Sequence, residues 1–294
     1  MLKNRCVRVL QIISICFLIP YWFSSAGATV TPSTSNHYFK TVQKRLIKDG
    51  FDPDKIQRLY SGPQINFEAD GVSIFFTYSE AKVDYDQFAN DWSIRKAKAY
   101  MQTHREDLRR TEEAFGVDSR VITAILLVET GLGSTVGTRS TLNTLSTMAS
   151  LIDPQVRSSF WNMTLKSKKI SRKKFEKKAV RKSQWAYQEL KAFLTYAYRE
   201  GFDPAEIPGS IAGAIGYAQF MPSNILAYGK DGNNDGSVDL LTHADSMASI
   251  ANFLKRHGWR PGISRKKAEK VIYHYNHSDY YVNVILKIAN LLKG

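Results

Sequence analysis

The stretch VDSRVITAILLVETGLG, residues 117–133, limits the fold more than any other part of the chain. Asp118 is a good N-cap, and Val121, Ile122, Ile125, Leu126 and Val128 recur at helical spacing. A helix of that kind must be mostly buried. It ends at Thr130-Gly131, with a second break at Gly133. Glu129 therefore falls in the last turn of an apolar helix, and it is the only acid between Ser119 and Leu151. Apolar neighbours and the negative helix end both disfavour its charge, so its pKa is expected to rise. A carboxylic acid kept protonated near neutral pH suits proton donation to a glycosidic oxygen. The same position also fits a plainer role, a buried Glu paired with an Arg or Lys elsewhere.

The 294 residues leave room for one large domain or two small ones, and 43% apolar content supports a real core. Residues 1–28 read as a secretory signal. Lys3, Arg5 and Arg8 precede an apolar stretch from Val9 to Ile19, and Ala26-Gly27-Ala28 suits cleavage. An uncleaved membrane anchor is the alternative, although the apolar run is short for a span. Cys6 and Cys16, the chain's two cysteines, both lie in this segment, so the remainder carries no disulfide and no thiol chemistry. Removing Lys3, Arg5 and Arg8 lowers the formal net charge from +14 to +11. Such a charge favours polyanionic surroundings. Export, to a periplasm or cell envelope, argues against nucleic acid and for anionic envelope polymers and lipid headgroups.

Residues 29–36 are Ser/Thr/Pro-rich and read as a linker. An N-terminal helical region follows over 37–115. It comprises a helix over 37–49, a short one from Asp52-Pro53 through Tyr60, and a long one over about 87–114. Residues 64–78 alternate in polarity around Asp70-Gly71 and predict a β-hairpin. Beyond it, 116–294 reads as helices at 117–130, 142–152, near Phe160-Trp161, 185–200, 245–257, and two around 273–281. The fold class is mainly α with a small β-containing appendage. Residues 166–182 hold ten Lys or Arg against one acid, Glu176. Such runs are usually solvated helix faces or loops; here an attachment to the anionic envelope surface is the functional reading.

Four stretches line up in order: VETGLG at 128–133, GSIAGAIGYAQFMPS at 209–223, DGNNDGSVDL at 231–240 with Asp245 behind it, and YNHSDYY at 275–281. Together they make the chain resemble the membrane-bound lytic transglycosylase B family of bacterial cell-wall enzymes, of the glycoside hydrolase family 103 type. The resemblance runs from about Phe39 to Leu292 and is strongest over 186–260. It implies a lysozyme-like helical core over 116–294 with one catalytic acid, which maps to Glu129. It maps Ser210 to a hydroxyl that positions the acid and Gln219 to the lining of a sugar cleft. Tyr275, Asn276 and Tyr281 match the C-terminal cleft motif. The family usually has an aromatic where Leu132 stands and Trp where Ile211 stands, which puts sugar stacking at those two points in question.

The residues make chemical sense on their own. Gly209, Gly213 and Gly216 let backbone approach a ligand closely, or simply another helix. Tyr217, Gln219 and Asn224 offer hydrogen bonds and a stacking face that suit a sugar. Tyr275-Asn276 could equally hold a buried amide that satisfies a loop. Glycosidases ordinarily use two carboxylates, yet no acid occurs from Ile207 to Lys230. One acid suffices where the sugar's own 6-hydroxyl replaces water as nucleophile, because intramolecular attack gains from proximity. The resemblance implies that reaction: cleavage of the MurNAc-GlcNAc β-1,4 bond of peptidoglycan strands, with a 1,6-anhydro product. A hydrolytic muramidase and a catalytically idle glycan-binding envelope protein are the competing readings.

Asp231, Asn233 and Asp235 occupy positions 1, 3 and 5 of a calcium-type loop, with Gly236 at 6 and the Ser237 carbonyl at 7. Position 12 is Thr242 rather than Glu, and the resemblance points to Asp245 three residues later. The expectation is a structural calcium ion over 231–245 and no catalytic cofactor; an Asx-rich turn is the alternative. Hard oxygen donors argue against zinc. Oligomeric state is not legible.

Overall fold

A computed structural model describes residues 32–77, 85–166, 168 and 170–293. The signal expected over 1–28 lies outside the described residues. So does the start of the expected linker. From Pro32 the chain is already helical, in α1 (Pro32–Lys48), which corrects the linker reading for 32–36. The reason is local: proline suits a first helical turn, and Phe39, Val42 and Leu46 line one fully buried face. Helix α2 (Pro53–Ser61) is capped by Asp52, which accepts from the Lys55 N–H at 2.8 Å.

The hairpin expected over 64–78 is not formed. After an irregular stretch, α3 (Ala69–Thr77) runs through Asp70-Gly71 as helix. Val72, Phe75 and Phe76 satisfy a spacing of three and four as well as any alternation, and tertiary packing chose the helix. Phe76 meets Phe160 and Phe175 edge-on, and Phe75 stacks over Trp185. The long helix expected over 87–114 is two, α4 (Asp91–Thr103) and α5 (Arg105–Phe115), broken at His104. The break turns the His104 ring onto Tyr100 and His243.

The expected apolar helix is α6 (Ser119–Thr130), buried at every residue from Val121 to Thr130. Chain segments pack around it on several sides, including α4, α11 (His243–Arg256) and α13 (Asp279–Leu291). A second buried pair is α7 (Thr141–Ser150) against α9 (Arg172–Glu200). Helix α9 begins thirteen residues before the expected Trp185. Lys and Arg are good helix formers, and Phe175, Ala179 and Lys182 continue its buried stripe. The basic run is thus largely the first turns of a core helix. The remaining helices are α8 (Pro154–Phe160), continued by a wider turn over Trp161–Leu165, then α10 (Pro222–Tyr228) and α12 (Arg265–Tyr275). One hydrophobic core extends from Phe39 to Leu292.

Among the described residues the only sheet has two strands, β1 (Arg139–Ser140) and β2 (Pro208–Gly209), antiparallel with Arg139 opposite Gly209. An isolated bridge joins Ile215 to Phe220. The small β portion therefore sits beside the two sequence motifs and not in the N-terminal region. No helix among the described residues is long and apolar enough to cross a membrane.

Candidate active site

Glu129 is 2% exposed at the C-terminal end of α6. Gly131 closes the helix in the left-handed conformation, φ 57°, which glycine adopts without the Cβ penalty. Its N–H bonds the Leu127 carbonyl at 3.0 Å, and the Leu132 N–H bonds that of Leu126 at 2.9 Å. Leu132 itself has φ 64°, so the chain leaves the helix sharply and its side chain turns into the core. Thr130 secures the exit. Its hydroxyl donates to the Tyr217 carbonyl at 3.1 Å and accepts from the Gly133 N–H at 3.0 Å.

The partner of the acid comes from the far end of the chain. The Tyr281 hydroxyl, on the first turn of α13, donates to Glu129 Oε1 at 2.8 Å. Ser278 caps α13, and the fully buried Tyr281 ring lies parallel to Tyr275. The Tyr275 hydroxyl donates to the Ala218 carbonyl at 2.6 Å, linking the C-terminal motif to the glycine-rich one. Both phenols are pushed far above the usual range, first by burial and next by the charge of Glu129. Among the described residues, Glu129 is the carboxylate that contributes to both shifts. Burial likewise favours the neutral form of a carboxyl group.

The glycine-rich motif folds into a tight turn. Ile215 and Phe220 exchange two backbone hydrogen bonds, 2.9 and 3.1 Å, around Gly216–Gln219. Gly216 has φ 72°, and a Cβ there would collide with the Leu240 carbonyl, so close backbone approach explains this glycine. Gln219 has φ 48° and donates from Nε2 to the Gly216 carbonyl at 2.8 Å and to Val136 at 3.4 Å. A non-glycine residue held there is strained, and strain of this sort gathers at functional sites. Tyr217 is half-buried with its ring against His243. Ser210 is buried, and its Oγ accepts from the N–H groups of Ala212 and Ala214. Asn276 is 3% exposed, and its Oδ1 has no hydrogen-bond partner among the described residues.

The structure thus draws Glu129, Tyr275, Tyr281 and the 217–219 turn together, with Glu129, Gln219 and Tyr281 buried and Tyr217 and Tyr275 half-buried. Sequence reasoning missed three contributors. Tyr85, buried, meets the Tyr281 ring edge-on at 6.3 Å. Lys96, on α4, donates to the Gly131 carbonyl at 2.9 Å and to Ser134 Oγ at 2.8 Å. Thr130 was visible beside the acid, but its bond to Tyr217 spans 87 positions. Nothing local in the sequence marks the first two.

The Asp-rich loop lies behind the Tyr217 turn. Asp231 accepts from the N–H groups of Asn234 and Gly236 at 2.6 and 2.9 Å. Asn233 donates to Asp235 Oδ2 at 2.7 Å, and Asp235 Oδ1 accepts from the Ser237 N–H at 2.9 Å. Asp245 is fully buried and accepts from Gly232 and Asp239 at 2.9 and 2.7 Å. Burial pushes its carboxyl up, and the charges of Asp231 and Asp235 add to that. Thr242, at position 12, instead caps α11. Among the described residues no three His, Cys, Asp or Glu side chains converge as a metal cluster. The donors are hard oxygens crowded with negative charge, a composition that fits an oxygen-seeking cation and no softer one.

A family model described as "Transglycosylase SLT domain" matches residues 34–268. Membrane-bound lytic murein transglycosylase B of Escherichia coli (strain K12) is 29% identical over 176 residues, 60% of this chain. The match spans only 41% of that relative's length. Among solved structures, Pseudomonas aeruginosa SltB3 in complex with NAG-anhNAM-pentapeptide aligns with TM-score 0.68 at 18% identity, over 88% of this chain and 80% of that one. The Escherichia coli lytic transglycosylase Slt35 in complex with calcium aligns with TM-score 0.67 at 20% identity, over 87% and 92%. These structures share the fold.

Proposed function

The chain belongs to the transglycosylase SLT domain family, and from that premise we propose that it is a peptidoglycan lytic transglycosylase with Glu129 as its single acid and base. One observation carries the reading: a carboxylate at the end of α6, buried to 2% and held at 2.8 Å by the Tyr281 hydroxyl, whose charge acts on both Tyr281 and Tyr275. Glu129 starts neutral and protonates the oxygen of the MurNAc-GlcNAc β-1,4 bond as the bond from C1 breaks. The developing cation is supported by the sugar's own N-acetyl group. Glu129, now a carboxylate oriented by Tyr281, takes the proton of the 6-hydroxyl while O6 bonds to C1. The product is a 1,6-anhydro end, and no water is consumed. Tyr217, Gln219, Tyr275 and Asn276 line the cleft, and Ser210 braces the turn beside the acid. Residues 116–294 supply the acid, and 37–115 support it through Tyr85 and Lys96.

The relatives' printed names support a cell-wall substrate. The signal-like residues 1–28 support export to a periplasm or envelope. We take Asp231, Asn233, Asp235, Asp245 and the Ser237 carbonyl as a structural calcium site, remote from every step above. The basic turns of α9 are taken as an attachment to anionic envelope material. Lys173, Lys174, Lys177 and Arg181 are exposed there, whereas Lys178 donates to the Phe76 carbonyl and Lys182 lies between Phe75 and Trp185. Burial and neighbouring cations push Lys182 down to about 8.

Digestion of purified sacculi, followed by muropeptide mass analysis, tests the central claim. Anhydro ends, lighter by one water than reducing ends, are expected. Reducing ends alone would make the protein a hydrolytic muramidase, and intact sacculi would make it a glycan-binding protein.

A further inference from the structure

Trp92 differs from the buried tryptophans Trp161 and Trp259 by its exposure. It is 64% exposed, whereas Trp161 and Trp259 are 7% and 5% exposed. Tryptophan is highly buried on average, so a ring left this open is unusual for its type. The residue is firmly placed. It stands on the first turn of α4, which Asn90 caps by accepting from the Ser93 N–H at 2.9 Å. One turn later Lys96 puts its ammonium 5.6 Å from the centre of the Trp92 ring. That same ammonium is fixed by the Gly131 carbonyl and Ser134 Oγ, in the loop that directly follows the acid. One cation thus ties the indole to the exit of α6.

The segment that carries Trp92 is anchored to the acid's surroundings on both sides of it. Upstream, Tyr85 meets the ring of Tyr281, whose hydroxyl holds Glu129. Downstream, Lys96 grips Gly131, two residues past Glu129. Trp92 lies between these anchors and projects into solvent. Leu132, three residues past Glu129, is 6% exposed and offers a ligand almost nothing. The apolar surface that a saccharide needs on this flank is therefore displaced from the loop to α4.

We propose that Trp92 is a saccharide platform: its open face takes a sugar ring of the glycan strand, beyond the four rings that a tetrasaccharide places across the bond Glu129 protonates. An indole offers a flat apolar face to the C–H face of a sugar, and a polar N–H at its edge. The platform rests on the transglycosylase reading above. It adds binding on a remote unit, which an enzyme can use at the reacting centre only when the substrate is long enough to reach it.

The test compares wild type, Trp92→Ala and Trp92→Phe on two substrates. One is a soluble tetrasaccharide of two disaccharide repeats; the other is purified strands of many repeats. Trp92→Ala is expected to lower kcat/KM on long strands about tenfold, mainly through KM, with the tetrasaccharide rate unchanged. Trp92→Phe should recover part of the loss. Equal loss on both substrates would mean that Trp92 shapes the acid's loop through Lys96, and the platform would fall. Unaltered kinetics beside lost co-sedimentation with vesicles of anionic phospholipid would make Trp92 a lipid contact and overturn the proposal. A wild type that cleaves neither substrate overturns the reading on which the platform rests. A wild type that cleaves both, beside an indistinguishable Trp92→Ala, overturns the platform alone.

Discussion

Among the described residues two glutamates are buried to nearly the same degree, Glu129 at 2% and Glu189 at 4%. Glu189, on α9, spends both oxygens on the start of α10: Oε2 accepts from the Ser223 N–H at 3.0 Å and Oε1 from the Ser223 hydroxyl at 2.9 Å. Burial pushes its carboxyl up, and those bonds pull it back. It works as a remote N-cap. Glu129 sits at the opposite kind of helix terminus, where the dipole repels its charge, and its partner is a phenol from another motif. Burial by itself therefore does not identify a catalytic acid. The helix end and the identity of the partner are what set these two glutamates apart.

The same substitution at both sites separates the two roles most sharply. Glu129→Gln should abolish cleavage, a loss of at least ~10³-fold by analogy with removal of a proton donor, while thermal melting stays near wild type. Glu189→Gln should do the reverse. It keeps one oxygen for the Ser223 N–H but must turn its NH2 group to the Ser223 hydroxyl, which weakens the cap by about 1 kcal/mol and lowers Tm by a few degrees with sacculus digestion retained. A Glu129→Gln protein that still digests sacculi would erase the distinction.

The phenol is the next point of attack. Tyr281→Phe removes the hydrogen bond that favours ionised Glu129, so the acid stays protonated to higher pH. The alkaline limb of the pH–rate profile should move upward, and turnover should fall about 10- to 100-fold as orientation is lost. A profile that keeps its limb and loses only amplitude would remove Tyr281 from control of the proton.

The Asp loop is a third carboxylate environment, with several acids crowded together near the surface. Saturating calcium should raise Tm by a few degrees, since binding to the folded state alone stabilises it. Asp235→Ala should cancel the rise and spare activity. Identical melting curves with calcium and with chelator would leave only an Asx-rich turn. The smallest effect is expected on α9. Replacing Lys173, Lys174, Lys177 and Arg181 with Gln should weaken binding to sacculi at low salt, because such attraction is screened beyond ~8 Å at physiological ionic strength. Turnover of soluble fragments should not change, and parallel loss in both assays would refute a tether.

Much of this was legible before any coordinates. The apolar run up to Val128 is buried wherever the helix packs, because no face of it is polar, and Gly131 ends it for the same local reason. Glu129 at that terminus, the glycines of 209–216 and the Tyr275–Tyr281 motif follow from short-range pattern. What failed were choices that local pattern leaves balanced. The 69–77 stretch suits strand or helix until Phe160, Phe175 and Trp185 are present to receive Phe75 and Phe76. The basic run suits a loop or a helix until Phe175 and Ala179 find the core.

Sequence alone thus determined a mainly helical chain, the acid and the end of the helix that bears it, since those depend on spacing and capping over a few residues. Only the tertiary structure decided which hydroxyl holds that acid, that Glu189 is a cap, and that Lys96 joins Trp92 to the exit of α6. Tyr281 lies 152 positions from Glu129, and Lys96 lies 35 from Gly131. Contacts at such separations are set by how whole helices pack, and no local pattern records them.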